Sequence, residues 1–158
     1  MTVVLQGALA REDRPAWGDA CPIERTSTLI ARKSTLLLLR EALYGTTRFD
    51  DFVRRTGMAE SVTASQLRAL TAEGLLVTRA YREPGQRRRS EYVLTDAGRD
   101  LIPVLLALAA WGDRHLPREH GLHLTHAACG ADIETGIRCA AGHAVAEDEI
   151  VVGLERRS

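Results

Sequence analysis

Two short runs of branched and aromatic residues flank a turn that contains Pro84 and Gly85, and this pair of runs constrains the fold more than any other feature of the chain. Such runs, joined by a Pro-Gly turn, predict a β-hairpin formed by LLVTRAY and SEYVLT. Segments with the apolar spacing of helices precede it, and most of them stop at a glycine. In chain order they are a helix that begins near Pro22, then KSTLLLLREALYG, RFDDFVRRTG and AESVTASQLRALTAEGLL. We therefore expect helices followed directly by a hairpin.

That order of elements is the one found in a winged helix-turn-helix. In this architecture the last helix before the hairpin enters the major groove of DNA, and the hairpin tip reaches the neighbouring backbone or minor groove. The predicted fold class is mainly α with a small β-hairpin wing (α+β), extended by a further helix and a small C-terminal appendage.

The hairpin tip is strongly basic, because Arg82, Arg87, Arg88 and Arg89 crowd around the turn. Over the whole chain, 21 basic and 21 acidic residues cancel, so only a local argument for a polyanionic partner can stand. Several arginines on one turn can each displace counterions from DNA phosphates. The tip is therefore interpreted as a DNA-contacting wing, with a merely well-solvated charged turn as the alternative.

Six motifs between Cys21 and about His115 point to one family: a Cys-Pro-Ile-Glu opening, TLLLLREALYG, RFDDF, QLRALTAEGLLV, EYVLTDAGRDLIPVL and AAWG. With them the chain resembles the HxlR-type transcriptional regulators, relatives of the MarR regulators. The resemblance implies a homodimer that binds double-stranded DNA, often as a repressor. For a symmetric dimer we expect an inverted-repeat operator.

The recognition helix of such a protein would be the segment AESVTASQLRALTAEGLL, with Val62, Leu67 and Leu70 on its buried side. Relatives tend to carry basic or amide side chains in its first turns, whereas hydroxyl and methyl groups dominate here. Base readout should therefore be modest, and more of the affinity should come from the wing. The predicted DNA-binding residues are Lys33, Ser61, Thr63, Ala64, Ser65, Arg68, Arg82, Arg87, Arg88 and Arg89.

A long helix is expected to begin at Thr95, a good N-cap, and to be bent or weakened at Pro103. It carries more apolar surface than a three-helix core needs, so we expect a second copy of the chain to cover it. The alternative is that the helix folds back on its own core. The apolar ridge consists of Leu101, Val104, Leu105, Leu108 and Trp111.

Relatives usually read Gly-Lys-Trp-Thr where this chain has Arg32-Lys33-Ser34-Thr35. Loss of an indole leaves either a collapsed core or a cavity that a small apolar or aromatic effector could fill. For the cavity, the predicted lining is Ser34, Leu37, Leu38, Leu105, Leu108 and Trp111.

Cys21 precedes Pro22 at the expected start of a helix, where the helix dipole and Arg25 would favour the reactive thiolate. Some relatives resemble this chain in having an N-terminal cysteine that senses oxidants or quinones. Cys21 is accordingly a candidate redox sensor, and a partly buried structural thiol is the alternative.

The texture changes after Pro117 to His, Cys, Gly and small residues, which indicates an appendage. The predicted organisation is an arm over residues 1–20, the winged helix-turn-helix with its dimerisation helix over 21–117, and an extension over 118–158. His-x2-Cys and Cys-x3-His spacings suit tetrahedral zinc in a degenerate zinc-ribbon-like hairpin, and a metal-free hairpin with buried thiols is the alternative. The candidate ligands are His126, Cys129, Cys139 and His143; no other cofactor is expected.

A sequence-specific DNA-binding regulator, released by a small-molecule or redox signal, is the predicted function. A winged helix used only for protein contacts is the alternative. No catalytic constellation is found, so an enzyme is not expected. With no apolar run of about 20 residues and no export signal, the prediction is a cytoplasmic protein without a membrane partner.

Overall fold

A computed structural model describes residues 2–14, 17, 21–81, 89–117 and 121–154 of the chain. Two compact units are found: Pro22–Leu122 forms one, and Met1–Cys21 together with His123–Ser158 forms the other. In chain order the elements are β1 (Val4–Leu5), α1 (Pro22–Ile30), α2 (Lys33–Leu43), α3 (Phe49–Thr56), α4 (Glu60–Ala72), β2 (Leu76–Tyr81), β3 (Arg89–Leu94), α5 (Asp96–Arg99), α6 (Ile102–His115) and β4 (Val151–Val152). The predicted order of helices and hairpin is confirmed.

The core of the first unit is built mainly from leucines of α2 and α4 around the ring of Phe52 on α3. Leu38, Leu39, Phe52 and Leu67 are almost completely buried, and burial of each such side chain contributes about 1.5–3 kcal/mol. The hairpin is tied to this core by Tyr92, whose ring meets that of Phe52 edge-on at 6.3 Å. The core therefore holds the three helices and the hairpin together.

The segment after the hairpin forms two helices where the sequence predicted one. The Thr95 hydroxyl accepts a hydrogen bond from the amide of Gly98 and donates one to the carbonyl of Gly74, so Thr95 caps α5 as expected. The chain then leaves the helix at Asp100 and Leu101, and Pro103 lies in the first turn of α6. Proline is tolerated there because a first-turn N–H has no partner in the helix. Pro103 thus follows a break between two helices and does not bend one long helix.

Gly98 lets α5 approach the backbone of the hairpin. A Cβ on residue 98 would overlap the carbonyl oxygen of Leu75 and also contact the side chain of Leu94. Only glycine fits at this close approach.

The second unit, called the terminal unit below, joins both ends of the chain. Strand β1 pairs in parallel with β4, so that Val4 lies opposite Val151 and Leu5 opposite Val152. Two tight loops, closed by the bridges Thr125–Asp132 and Arg138–Ala144, carry the candidate metal ligands. The sequence patterns assigned no regular structure to residues 1–20, so β1 is an addition from the structure. Within the described ranges, none of the helices has the length and apolar character needed to cross a membrane.

Candidate nucleic-acid interface

The helix-turn-helix geometry depends on Gly57, which ends α3 with φ 67°. Its amide donates to the carbonyl oxygen of Val53 at 3.0 Å, and α4 begins three residues later at Glu60. Residues with a Cβ rarely adopt this left-handed conformation, whereas glycine does so freely. Gly57 therefore sets the turn between the two helices.

Helix α4 buries one face and exposes the other. The buried face consists of Thr63, Leu67 and Leu70, at the i, i+4, i+7 spacing of a helix. The exposed face carries Ser61, Val62, Ser65, Arg68, Ala69 and Ala72, while Ala64 lies half-buried between the two. Ser61, Ser65 and Arg68 thus lie where a base-reading helix presents its side chains.

The prediction that Thr63 contacts bases is wrong. Thr63 is completely buried, and its hydroxyl donates to the carbonyl oxygen of Ala59 at 3.1 Å. Because its own helix satisfies the hydroxyl, Thr63 can pack in the core without an unpaired polar group.

Val62, and not Thr63, lies on the exposed face of α4. The valine was expected in the core, yet 43% of it is exposed on the outer face of α4. Helical spacing counted back from Leu67 and Leu70 selects residue 63, which is the signal that would have found the correct face. Val62 joins the candidate DNA-binding residues.

A hydrogen bond joins α4, the candidate recognition helix, to α2. The Thr35 hydroxyl donates to Oε1 of Gln66 at 3.0 Å, and Thr35 is almost fully buried. Lys33, a predicted DNA-binding residue, is exposed at the first position of the same helix. The start of α2 is therefore bonded to the middle of α4.

The hairpin is anchored beside the helix-turn-helix through the loop before α3. The amide of Tyr92 donates to the carbonyl oxygen of Thr47 at 2.8 Å, and Arg48 forms a β-bridge with Glu91. Of the predicted wing residues, Arg89 begins β3 with its backbone paired to Tyr81. Arg82, Arg87 and Arg88 lie outside the described residues.

A buried carboxylate holds this same loop. Glu41 on α2 is almost completely buried and accepts hydrogen bonds from the guanidinium of Arg40, at 2.7 and 3.1 Å. The hydroxyl of buried Thr46 donates to its other oxygen at 3.4 Å. Sequence patterns alone do not reveal this role, because Glu41 lies in an otherwise ordinary amphipathic helix.

The predicted effector-binding residues differ in their burial. Leu38 is fully buried in the core, which corrects its assignment to a pocket wall, and Leu108 and Trp111 are about half exposed. Ser34, Leu37 and Leu105 are half-buried. An apolar cavity of about 580 Å³ lies between α1, the start of α2 and α6, and it shares only Leu108 with the predicted set. The predicted effector site stays a prediction.

The structure brings together only part of the candidate metal site. Nδ1 of His126 lies 3.1 Å from Sγ of Cys129, and both residues are exposed. Cys139 and His143 meet through a backbone hydrogen bond. Among the described residues, no three potential ligands are close enough to hold a metal. A zinc site stays a prediction that metal analysis of the purified protein would test.

Cys21, the candidate redox residue, lies directly before the first residue of α1 and is half-buried. A side chain in this position is still accessible to a small oxidant.

Known proteins share both the sequence pattern and the fold. An uncharacterised HTH-type transcriptional regulator of Mycobacterium tuberculosis, Rv3095, is 37% identical over 119 residues, which is 74% of each chain. The regulator YdeP of Bacillus subtilis is 31% identical over 63% of this chain and 77% of its own. Like these relatives, the chain is a transcriptional regulator and not an enzyme.

Solved structures agree with these relatives. PA1607, assigned as a transcription factor, superposes with a TM-score of 0.76 at 30% identity over 88% of this chain and 98% of its own. Since 88% exceeds the share occupied by residues 22–122, this match includes part of the terminal unit. The oxidised redox regulator HypR matches at TM-score 0.56 and 30% identity over 62% of this chain and 100% of its own.

A family model described as HxlR-like helix-turn-helix matches residues 29–120, the range that contains α2 to α6 and the hairpin. The chain therefore belongs to the HxlR-like helix-turn-helix family of transcriptional regulators.

Proposed function

We propose that the protein is a sequence-specific DNA-binding repressor that acts as a homodimer and leaves its operator in response to a small-molecule or redox signal. The observation that carries this proposal is the outer face of α4, which is exposed and has the anchored hairpin as part of the same unit. Its side chains are short, so the helix can come close to base edges in the major groove.

Three kinds of group on α4 can discriminate bases. Ser61 and Ser65 offer hydroxyls that accept or donate, and Arg68 offers a guanidinium that matches the acceptors of guanine. Val62, in the first turn, offers methyl groups of the kind that contact the C5-methyl of thymine. Recognition would therefore combine guanine and thymine contacts, with arginines of the wing on the phosphates.

Homodimerisation is supported by apolar surface on α1 and α6. Ile23 is 76% exposed, Leu108 49% and Trp111 58%, and α6 has no fully buried residue. Burying such surface against an identical copy is the commonest way in which soluble proteins cover it. The two recognition helices would then read two half-sites.

Footprinting of bound genomic fragments tests the proposal. The expected footprint is an inverted repeat whose half-site centres lie about one helical turn, or a small multiple of it, apart. A single asymmetric footprint bound by monomer contradicts the dimer.

A protein-contact module is the second candidate, because zero net charge and the small side chains of α4 also suit it. The salt dependence of binding distinguishes DNA binding from protein contact. DNA affinity should fall by orders of magnitude between about 50 and 200 mM salt, whereas a partner complex that is indifferent to salt would support protein contact.

The redox arm of the proposal rests on Cys21 and on the likeness to HypR, a redox regulator. Cys21 adjoins α1, which carries part of the proposed dimer surface, so its oxidation would act at that surface. Diamide should release DNA from the parent protein and from Cys129→Ser, and it should fail to do so in Cys21→Ser. Equal release in all three proteins would exclude Cys21 as the sensor.

A further inference from the structure

A second cavity, of about 370 Å³, lies between α1, the start of α2 and α4. Its size falls within the range of small-ligand sites. Leu29 and Leu70 contribute apolar side chains to its wall, and Leu70 belongs to the core. The cavity therefore has a firm apolar side that can take a hydrocarbon group.

Three charged residues also line this cavity. Arg25 of α1 and Arg32, the residue before α2, both line the cavity, and Glu73 is the single carboxylate among its lining residues. Arg40, Arg54 and Arg99 each pair with a carboxylate. In contrast, neither Arg25 nor Arg32 forms an ion pair with any residue that the structure describes. Two arginines without an ion pair in the described part of the chain thus line one cavity.

We propose that this cavity binds a small organic carboxylate with an apolar body. A guanidinium presents parallel N–H donors that match the two oxygens of a carboxylate. The attraction of the ligand to two arginines would exceed its repulsion by the single carboxylate of Glu73. The hydrocarbon part of the ligand would lie against Leu29 and Leu70. Inorganic anions lack that part and would bind less tightly.

Such a ligand would reach the recognition helix directly. Gln66 of α4 lines the cavity and is the residue bonded to Thr35 of α2. A bound carboxylate places negative charge beside α4 and neutralises two arginines there, which lowers the attraction of this face for DNA phosphates. This regulation rests on the DNA binding proposed above, whereas carboxylate binding itself does not, so the two are measured separately.

Binding is tested on the full chain without DNA, with benzoate as the probe. Two control compounds are benzamide, which lacks the negative charge, and acetate, which lacks the aromatic ring. Benzoate should bind saturably and shift the amide resonances of residues 25–35 and 66–73, with both control compounds at least about tenfold weaker. Arg25→Gln and Arg32→Gln should each lower the affinity for benzoate by about tenfold. Glu73→Gln should raise the affinity for benzoate. Arg99 is an exposed arginine on α5, and Arg99→Gln should leave this affinity unchanged.

The outcome with Glu73→Gln is the sharpest, because a merely apolar crevice would not respond to this change. Absence of saturable benzoate binding, equal binding of benzamide, or weaker binding in Glu73→Gln would each overturn the site. Benzoate should then reduce operator affinity in the parent, and about tenfold more benzoate should be needed for the same effect in Arg32→Gln. Unchanged operator affinity in the benzoate-bound parent would overturn the regulatory role, and a chain that binds benzoate but no duplex would instead overturn the proposed function.

Discussion

The buried hydroxyl of Thr35 donates a hydrogen bond to the side-chain oxygen of Gln66, 31 residues further along the chain. Thr35→Val keeps the shape of the side chain and leaves the half-buried Gln66 oxygen without this donor. The free energy of unfolding should fall by about 1 kcal/mol in urea denaturation.

A double-mutant cycle with Gln66→Met isolates this bond, and its coupling energy should be about 1 kcal/mol. Thr28→Val serves as the control, because that exposed hydroxyl donates to the backbone carbonyl of Glu24 in its own helix. Zero coupling between positions 35 and 66 would show that the bond does not stabilise the fold.

Gly98→Ala should destabilise the protein by about 1–3 kcal/mol, because the new methyl group would overlap a backbone carbonyl that cannot move freely. Gly112→Ala on α6 is the matched control. There a Cβ would meet only the side chain of Leu116, at 3.9 Å, so alanine should stabilise the helix by about 0.5–1 kcal/mol. Urea denaturation measures both, and equal stability of the two variants would refute the close approach at Gly98.

Val62 should recognise a thymine methyl group. Deoxyuridine differs from thymidine only in lacking that methyl group. Replacing one thymidine of each half-site by deoxyuridine should weaken operator binding by the parent severalfold and leave operator binding by Val62→Ala unchanged. The control is Val151→Ala, an exposed valine of the terminal unit. If no thymine position distinguishes the parent from Val62→Ala in gel-shift titrations, Val62 does not read a methyl group.

The wing and the recognition helix should divide affinity and specificity. Replacing Arg87, Arg88 and Arg89 together should weaken binding to every sequence and flatten the salt dependence, by about 0.9 in slope for each phosphate that the wing no longer neutralises. Arg68→Ala should chiefly change preference among sites. Titrations against operator and random duplex measure both effects. A triple variant that binds random duplex as tightly as the parent would remove the wing from the interface.

Leu108→Glu should convert the proposed dimer to monomer, because a charge in the proposed shared surface cannot be solvated there. The residue is about half exposed within one chain, so the fold should survive. Ile133→Glu is the control, at an exposed position of the terminal unit. Sedimentation velocity measures the mass, and a Leu108→Glu variant that sediments as the parent does would place the dimer surface elsewhere.

The order of helices and hairpin follows from local patterns. Leucine spacing in α2, the glycines after α2, α3 and α4, and branched residues in β2 and β3 each act over a few residues. The faces of α4 were harder to assign, because Val62 is apolar and Thr63 carries a hydroxyl. The apolar side chain of the valine favoured its assignment to the buried face. Thr63 is buried there instead, because its hydroxyl donates to the carbonyl of Ala59 in the same helix.

Other features depend on distant contacts and leave no local pattern. Strands β1 and β4 have two residues each and lie at opposite ends of the chain. The cavity that holds Arg25, Arg32 and Glu73 combines three segments that have no shared motif. Neither could be derived from periodicity, which reports only on neighbours along one element.

The pairing of Val4 with Val151 makes the winged helix-turn-helix an insertion within another unit. During synthesis β1 leaves the ribosome before the winged helix-turn-helix, and its partner strand β4 follows only after that domain has emerged. Contacts in Pro22–Leu122 close shorter loops, so this domain can fold while β1 still waits for β4. A truncation designed to isolate the DNA-binding domain must therefore remove both ends of the chain, because removing one would leave the other as a strand with an unpaired edge.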